Sequence, residues 1–360
     1  MEFGLSDDQR MLQSSIRGYL DSAVDLEAVR AIADGDDLKA GAIATGIAEL
    51  GVAQVLIEER HAGLGLGVLD AALIQEMLGA TVAPIDHLAT AMAIVGLRVA
   101  GSDQQQADWL PRIAAGSVRF GVAVSERVGA REQAGVTANG DTLSGKSLFA
   151  METRQATHVL VCDTEGGLHI VDLAADLERT QHRTIDRTRD LAELTFAQTP
   201  AVRLSGDRAL GLGADRVIET GRILLAADTL GAAQTMLERA VEYAKERKQF
   251  NRVIGSFQSV KHLCAEMAAR LEPARALVWH AAHAIDEGEP DAPLMVCLAK
   301  SHLSEVGTFI ARTATEVHGG MGFTDLLGLH YWFKRIGANR QLLGGPEHVR
   351  AQAAQLQGWA

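Results

Sequence analysis

Aromatic residues are scarce in this chain, making up only 4% of 360 residues, whereas alanine and leucine are plentiful. Because alanine and leucine are strong helix formers, this composition favours helix. Cysteine is scarce as well, and Cys162, Cys264 and Cys297 show no spacing typical of a metal or redox site. Three isolated cysteines fit a protein of the reducing cytosol.

Positive charge is also in short supply. The chain has 34 Lys and Arg against 46 Asp and Glu, a formal net charge of −12, which argues against general nucleic-acid binding. A local basic pocket for a phosphorylated ligand is still compatible with this total. The N-terminus shows no basic segment followed by an apolar one, and no apolar run of about 18 residues occurs. We therefore predict a cytoplasmic protein without a membrane span.

Apolar residues make up 47% of the chain and charged residues 22%, values that suit a globular protein of two or three domains. Near the N-terminus, Ser6 and Gln9 have the spacing of a helix capping box. The glycines of residues 63–67 resemble half of a dinucleotide-binding fingerprint, but no convincing strand precedes them. We interpret that segment as a loop between two helices.

The pattern of apolar residues changes twice along the chain. Residues 1–115 show helical spacing, residues 116–205 alternate as half-buried strands do, and helical spacing returns over residues 206–360. Asn139-Gly140 marks a hairpin turn in the middle part. This order predicts an α+β, mainly α protein with an N-terminal helical domain, a middle antiparallel β-barrel or sandwich domain, and a C-terminal four-helix bundle.

One segment, residues 246–258 with the sequence ERKQFNRVIGSFQ, separates two of the long helical patterns. It places two arginines and a lysine at the break, where the start of a helix can hold an anion. The segment resembles the signature of the acyl-CoA dehydrogenase family, R-x-Q-F-G-x-x-I-x-x-F-Q. The order of helical, β and helical parts resembles that family along nearly the full length. Asn251 stands where the family usually has glycine.

This resemblance implies a protein that binds FAD across a subunit interface. In the signature segment it assigns cofactor contacts to Arg247, Gln249, Phe250, Ile254, Phe257 and Gln258. A second segment, EVHGGMGFT at residues 316–324, resembles the family's Q-V-x-G-G-x-G-F, whose glycines let the backbone approach the FAD of a partner subunit. It assigns contacts to Glu316, Val317, Gly319 and Gly320. Glu316 replaces the usual glutamine, and a carboxylate cannot donate as an amide does and would repel the pyrophosphate.

The β part carries two further segments that resemble family motifs. Residues 123–127 stand where the family has A-x-T-E-P, and residues 149–151 where it typically has Trp-Ile-Thr. The resemblance assigns contacts with the isoalloxazine ring to Val124, Ser125, Phe149 and Met151. Ser125 offers a hydroxyl and a backbone N–H, and Phe149 can stack on the ring.

The catalytic base is missing from both of its usual places. The family's reaction needs a carboxylate that removes a proton beside the thioester, while the flavin accepts a hydride. Register with the family's two base positions gives Leu343 near the C-terminus and Gly221 just before Arg222. Nearby acids are Glu219, Glu347 and Asp228, and a displacement of one helical turn moves a carboxylate by about 5 Å.

Three interpretations follow from the resemblance. The first is a subunit of an FAD-dependent acyl-CoA dehydrogenase, acting on fatty, branched or sterol-derived acyl chains, whose partner chain supplies the glutamate. Such a protein would form a dimer or an α2β2 tetramer and pass electrons to an electron-transfer flavoprotein. The second is a self-sufficient enzyme with Glu219 as base. The third is a structural subunit that has lost FAD. An oxidase of the same fold is disfavoured because the chain is short for one. Residues 319–324, GGMGFT, and residues 330–335, HYWFKR, which resemble the H-x-Y-x-K-R of bacterial members, favour a dehydrogenase over a monooxygenase.

Overall fold

Helices dominate the first part of the chain, as predicted. The computed structural model describes residues 4–84, 87–129, 131, 134–175, 177–206 and 211–359. The helices that precede the first strand are α1 (Asp7–Ala23), α2 (Leu26–Ala33), α3 (Asp37–Glu49), α4 (Val68–Ala80), α5 (His87–Ala100) and α6 (Asp103–Ala114). The capping box at α1 is confirmed: the Gln9 N–H donates to Ser6 Oγ and the Ser6 N–H donates to Gln9 Oε1, both at 3.1 Å.

The glycine-rich segment at residues 63–67 is a loop between a 3-10 turn and α4, which confirms that interpretation. A Cβ on Gly63 would lie 1.9 Å from the carbonyl oxygen of Ile57, and Gly65 has φ of +65°. The glycines therefore serve a tight fold of the backbone. No described residue before the loop forms a strand, which removes the dinucleotide-binding interpretation.

A mixed β-sheet follows the first helices. Its strands are β1 (Phe120–Ala123), β2 (Gly135–Asn139), β3 (Thr142–Met151), β4 (His158–Cys162), β5 (Leu168–Asp172), β6 (Glu178–Gln181), β7 (Leu191–Pro200) and β8 (Val202–Arg203). The order across the sheet is β6-β7-β3-β1-β4-β5-β8, with β2 paired to β3. β1 and β4 run parallel, whereas the other described pairs are antiparallel. The prediction of an antiparallel domain is thus wrong for one pair.

The predicted hairpin turn lies between β2 and β3, where Asn139 is opposite Thr142 and Gly140 has φ of +58°. One face of the sheet buries a cluster of small and branched side chains. The fully buried members include Val136, Leu143, Val159, Val161, Val171, Leu194 and Phe196. Val159 and Val161 on β4, and Leu194 and Phe196 on β7, are spaced two residues apart, because neighbouring strand residues point to opposite faces.

The last part of the chain is again helical. It consists of α7 (Leu212–Glu246), a short hairpin of β9 (Lys248–Gln249) and β10 (Arg252–Val253), α8 (Gln258–Asp286), α9 (Ala292–His318), a 3-10 helix (Gly319–Phe323), α10 (Leu329–Gln341) and α11 (Pro346–Leu356). α9 packs against α8, α10 and α11. The helical stretch Ala292–Phe323 has the length and mean hydropathy, 1.2, of a membrane span, but 61% of that window is buried, as in a core helix.

The described chain divides into two units. One is formed by residues 1–36, 72–83 and 223–360, and the other by residues 37–71 and 84–222. α4 and α7 contribute residues to both units. The first unit therefore contains α1, α2 and the helices after the sheet, and the second contains the sheet. The division into three domains at residues 115 and 205 stays a prediction.

Candidate active site

A hairpin occupies the break between α7 and α8. Gln249 is opposite Arg252 in the two-stranded pair, and the two tip residues, Phe250 and Asn251, have φ of 52° and 61°. Positive φ at both tip residues is typical of two-residue hairpins, and asparagine tolerates it better than other non-glycine residues. The hairpin thus explains why Asn251 can replace glycine. Arg247 and the other cations lie before α8, on the hairpin, and not at the helix start.

The side chains of the hairpin form an exposed stack of rings and a cation. Phe250 is 87% exposed, and its ring lies 6.1 Å from the ring of Phe257 in an edge-on arrangement. The guanidinium of Arg252 lies 3.9 Å from the centre of the Phe257 ring. The Ile254 N–H donates to the carbonyl oxygen of Arg247 at 2.7 Å, which closes the base of the hairpin. Such a surface can hold an anion beside an aromatic ring system.

The glycine segment begins where α9 ends. Gly319 has φ of 57° and ψ of −140°, a combination that glycine adopts far more easily than other residues. A Cβ on Gly320 would meet nothing within 4 Å, so the backbone there is open to a ligand. Glu316 is exposed in the last turn of α9, whereas Val317 is buried. Val317 therefore contributes packing, and its assignment as a contact stays a prediction.

A ring stack joins the hairpin and the glycine segment. Tyr243, one turn before the end of α7, stacks on His318 with ring centres 4.6 Å apart and planes 30° apart. The carbonyl oxygen of Tyr243 accepts from the N–H of Arg247 at 2.8 Å. His318 donates from Nδ1 to the carbonyl oxygen of Ala314 at 2.7 Å. Sequence reasoning did not find Tyr243, because a tyrosine at a helix end carries no motif of its own.

In the sheet unit, hydrogen bonds tie the 3-10 turn Ser125–Val128 to β3. Ser125 Oγ donates to the carbonyl oxygen of Phe149 at 3.0 Å. The carboxylate of Glu126 accepts from Ser147 Oγ at 2.8 Å and from the Leu148 N–H at 2.7 Å. The structure thus brings Ser125 and Phe149 together. Glu126 belongs to the segment 123–127 that resembles a family motif, but the sequence alone did not predict its hydrogen bonds to β3.

Two neighbours surround the half-buried ring of Phe149. The ring of His182 lies 5.7 Å away, and the guanidinium of Arg131 lies 5.7 Å from the ring centre. Val124 and Met151, by contrast, are buried in the unit. Their side chains pack in the protein, so only their backbone groups are suited to touch a flavin.

Glu219 is the partly buried acid among the candidates for a base. Its side chain is 14% exposed and pairs with Arg216 at 3.0 Å. Burial raises the pKa of the Glu219 carboxyl, against the opposing charges of Arg216 and Arg222. Gly221, the usual position, is buried within α7.

The C-terminal base position is held by an apolar side chain. Leu343 is 2% exposed and has φ of 56°, in the connection between α10 and α11. Glu347, four residues on, is 72% exposed and pairs with Arg340 at 3.3 Å and with Arg350 at 3.8 Å. The carboxylate of Glu347 is thus solvated and engaged by two arginines.

Asp228 is fully buried and makes hydrogen bonds on both carboxylate oxygens. Gln75 Nε2 and Arg335 Nη1 donate to Oδ2 at 2.7 and 3.2 Å, and Asn339 Nδ2 donates to Oδ1 at 2.7 Å. These three donors satisfy both oxygens of the buried carboxylate. Asp228 therefore joins helices and does not serve as a base.

Comparison with known proteins identifies the family. The sequence profile of the acyl-CoA dehydrogenase N-terminal domain matches residues 6–117, and that of the C-terminal domain matches residues 214–356. The chain belongs to the acyl-CoA dehydrogenase family. Members of this family are FAD-binding flavoproteins.

The chain is 31% identical over 301 residues to "Acyl-CoA dehydrogenase IpdE2" of Mycobacterium tuberculosis (strain ATCC 25618 / H37Rv), covering 84% of this chain and 81% of that protein. The solved structure "Tcur3481-Tcur3483 steroid ACAD G363A variant" is 27% identical, with a TM-score of 0.89 and 98% of both chains covered. A chain of the ChsE4-ChsE5 complex from Mycobacterium tuberculosis shares the fold, with a TM-score of 0.90 at 22% identity and full coverage of both chains.

For an acyl-CoA dehydrogenase, this chain has an unusual distribution of residues. The hairpin and the glycine segment keep the features that suit a flavin, whereas glycine and leucine occupy the two positions that register assigns to the base. Glu316 adds a negative charge beside the glycine segment. Whether each assigned residue touches the cofactor stays a prediction.

Proposed function

We propose that this chain is a subunit of an FAD-dependent acyl-CoA dehydrogenase whose catalytic glutamate belongs to a partner chain. The observation that carries the proposal is the burial of Leu343 at the C-terminal base position, with 2% of its surface exposed. An apolar side chain there cannot remove a proton, while the segments suited to a flavin are retained. The reaction is the α,β-desaturation of an acyl-CoA thioester.

The residues of the hairpin and of the glycine segment fit a dinucleotide flavin in their chemistry. Arg247 and Lys248 are exposed cations that match the charge of a pyrophosphate. Phe250 and Phe257 offer ring faces and edges for an adenine. Gly319 and Gly320 leave the backbone open to close approach. When bound, FAD accepts the β-hydrogen of the acyl chain as a hydride.

The sheet unit, taken by itself, has residues suited to contact an isoalloxazine ring. Ser125 keeps its oxygen lone pairs available, because its hydroxyl proton is donated to Phe149. The hydrogen bonds of Glu126 fix the turn that carries Ser125 to β3, so that both side chains keep a defined position. Outside the sheet unit, Gln249 on the hairpin and Gln258 at the start of α8 are exposed. We propose that their amides orient towards the cofactor.

The α-proton passes to a carboxylate of the partner chain in this proposal. The relative described as "Tcur3481-Tcur3483 steroid ACAD" is named as a pair, which supports a heteromeric assembly and a bulky, sterol-derived acyl chain. An α2β2 tetramer would provide both the heteromeric assembly and the partner's carboxylate. As the electron acceptor we propose an electron-transfer flavoprotein.

A second candidate is a self-sufficient enzyme in which Glu219 is the base. The specific observation in its favour is the raised pKa of the Glu219 carboxyl, which burial causes. A base whose pKa approaches the working pH is better suited to proton transfer. Against it stands the ion pair with Arg216, which restrains the carboxylate.

Purification of the chain alone and with the product of the neighbouring gene tests these alternatives. We expect flavin absorbance in the co-purified complex, and its bleaching by acyl-CoA only when the partner is present. Bleaching by the chain alone that Glu219→Gln abolishes, with FAD still bound, would favour the self-sufficient enzyme. A colourless chain that no partner or added FAD converts to a flavoprotein would overturn the proposal and leave a structural subunit.

A further inference from the structure

The N-terminal helix α2 contacts the loop that follows the glycine segment. Arg30 Nε donates to Asp325 Oδ2 at 3.0 Å, and Arg30 Nη2 donates to the carbonyl oxygens of Asp325 and Leu326, the latter at 3.3 Å. One guanidinium thus binds a side chain and two backbone groups that lie about 295 residues further along the chain. Charge-assisted hydrogen bonds of this kind define geometry as well as energy.

A second contact lies at the end of the same loop. Gly328 has φ of +63°, and a Cβ on it would lie 2.3 Å from Leu26 Cδ1 at the start of α2. The side chain of Leu26 therefore packs directly on the backbone of Gly328. α2 touches the loop near its beginning and at its end, so the loop cannot shift without moving the helix.

The loop is joined in turn to the glycine segment by short-range hydrogen bonds. Thr324 Oγ1 donates to the carbonyl oxygen of Met321 at 2.8 Å, and the Thr324 N–H donates to the same oxygen at 3.1 Å. Phe323, the last residue of the glycine segment, and Leu326 in the loop are 81% and 69% exposed. The loop thus contacts α2 through Arg30 and Leu26, while the side chain of Leu326 is exposed.

We propose that Arg30 is a positioning residue that fixes the glycine segment Gly319–Phe323 for the flavin. This inference rests on the proposed function, in which that segment approaches FAD. Arg30 does not touch the cofactor and acts through Asp325 and the loop. Its effect is to limit the conformations of Gly319 and Gly320, since glycines have the most backbone freedom to lose on binding.

Arg30 is the principal cation for Asp325 at neutral pH. His330 Nε2 lies 3.6 Å from Asp325 Oδ1, but burial, and then the charge of Lys334, lower the pKa of His330. The lowered pKa favours the neutral ring of His330, so Arg30 is the cation that holds Asp325 in the intact contact.

The ion pair between Arg30 and Asp325 affects the loop more than the stability of the whole fold. The side chains of Arg30 and Asp325 are 30% and 65% exposed, and ion pairs this accessible contribute little to overall stability. Removing Arg30 should leave the fold intact and widen the set of loop conformations. The fraction of molecules ready to bind FAD then falls, and the apparent dissociation constant rises in proportion.

The test uses the complete chain, with its co-purified partner if it has one. We expect Arg30→Ala and Asp325→Ala each to weaken FAD binding by about three- to tenfold, measured by flavin fluorescence on reconstitution. The double variant should bind like Arg30→Ala, because removing Arg30 already removes its bond to the Asp325 carboxylate, and Asp325→Ala alone leaves the bonds of Arg30 to the two backbone carbonyls. Arg30→Lys should recover part of the loss. Arg10→Ala removes an exposed pair with Asp7 on α1 and should bind like the wild type.

Amide hydrogen exchange of the peptide spanning residues 319–328 gives a readout that does not depend on the cofactor. We expect faster exchange in Arg30→Ala than in the wild type or Arg10→Ala, with the melting temperature of the apoprotein changed by less than about 2 °C. Equal FAD affinity and equal exchange in Arg30→Ala and the wild type would overturn the inference. A wild-type protein that binds no FAD would instead contradict the proposed function, and exchange would still test the positioning.

Discussion

Asn251 has a left-handed backbone, with φ of 61°, at the tip of the hairpin between α7 and α8. Left-handed geometry is costly for residues with a Cβ, and asparagine reduces that cost because its short polar side chain can hydrogen-bond locally. The neighbouring Phe250 has φ of 52° and no such advantage. The rest of the hairpin therefore imposes the left-handed conformation on its tip, and Asn251 lowers the conformational cost of that geometry.

We expect Asn251→Ala to lower the free energy of unfolding by about 1 kcal/mol, because alanine lacks the amide that favours φ above zero. Asn251→Gly should be neutral or slightly stabilising, since glycine has no penalty at this geometry. Urea denaturation of the two variants and the wild type measures the difference. Equal stability of Asn251→Ala and Asn251→Gly would mean that the tip does not hold this conformation in solution.

His87 is a buried histidine that is 6% exposed, with Nε2 at 3.4 Å from the carbonyl oxygen of Ala71. Burial lowers the pKa of His87 from 6.5 to about 4. Between about pH 6.5 and pH 4, His87 is therefore protonated in the unfolded chain but neutral in the folded chain. The stability that the neutral ring provides is present above about pH 6.5 and is lost as the pH falls towards 4.

We expect the free energy of unfolding to fall by up to about 3 kcal/mol between pH 6.5 and pH 4 through His87 alone. His87→Gln cannot be protonated, so its stability should depend less on pH in this window. His262→Gln, at an exposed histidine of α8, is the control and should follow the wild type. Urea denaturation at several pH values gives the slopes, and parallel slopes for wild type and His87→Gln would contradict the assignment.

At the scale of elements, the clearest gap between prediction and structure is the hairpin of β9 and β10. Its strands are two residues long, too short for an apolar period to show, and its tip reads Phe-Asn instead of the usual Asn-Gly. The longer hairpin at Asn139-Gly140 was predictable because it has both signals. The parallel pairing of β1 with β4 was not predictable, since alternation along a strand is the same for either direction.

The candidate site was predictable to the extent that it consists of motifs. Ser125 and Phe149 belong to separate segments of sequence, and the structure joins them by one hydrogen bond. The hydrogen bonds of Glu126 and the stack of Tyr243 on His318 were not predictable, because they depend on which elements become neighbours. Sequence motifs identify residues suited to a ligand, whereas the residues that support them emerge from tertiary packing.

Asp228 on α7 joins three helices, since Gln75 lies on α4 and both Arg335 and Asn339 lie on α10. We expect Asp228→Ala to lower the free energy of unfolding by about 3–5 kcal/mol, because it leaves a buried arginine without its carboxylate. Glu242→Ala removes an exposed pair with Lys245 on the same helix and should cost less than about 1 kcal/mol. Thermal and urea denaturation compare the two variants. Similar losses of stability would show that the buried hydrogen bonds of Asp228 contribute no more than an exposed ion pair.

At the scale of the whole molecule, a single chain leaves exposed rings in the two segments that we propose hold the flavin. Phe250 is 87% exposed and Phe323 is 81% exposed, and they belong to the two segments assigned to the cofactor. Contiguous apolar patches on a protein surface mark sites that another molecule covers, and we infer that these two rings belong to such a site because both lie in segments assigned to a ligand. A second chain that covers these segments would shield the cofactor from water, so assembly and flavin binding should be coupled.

We expect the ratio of flavin to protein to fall together with the molecular mass when the holoprotein is diluted, because the cofactor binds the assembled form more tightly than the single chain. Phe250→Ala should move both transitions to higher protein concentration by about tenfold, since it removes a ring from the shared surface. Trp359→Ala, at a ring that is 77% exposed but outside the motifs, should leave both unchanged. Light scattering with flavin absorbance on the same sample measures the coupling. A monomer that retains one FAD per chain would separate cofactor binding from assembly, and the exposed rings would then require another partner.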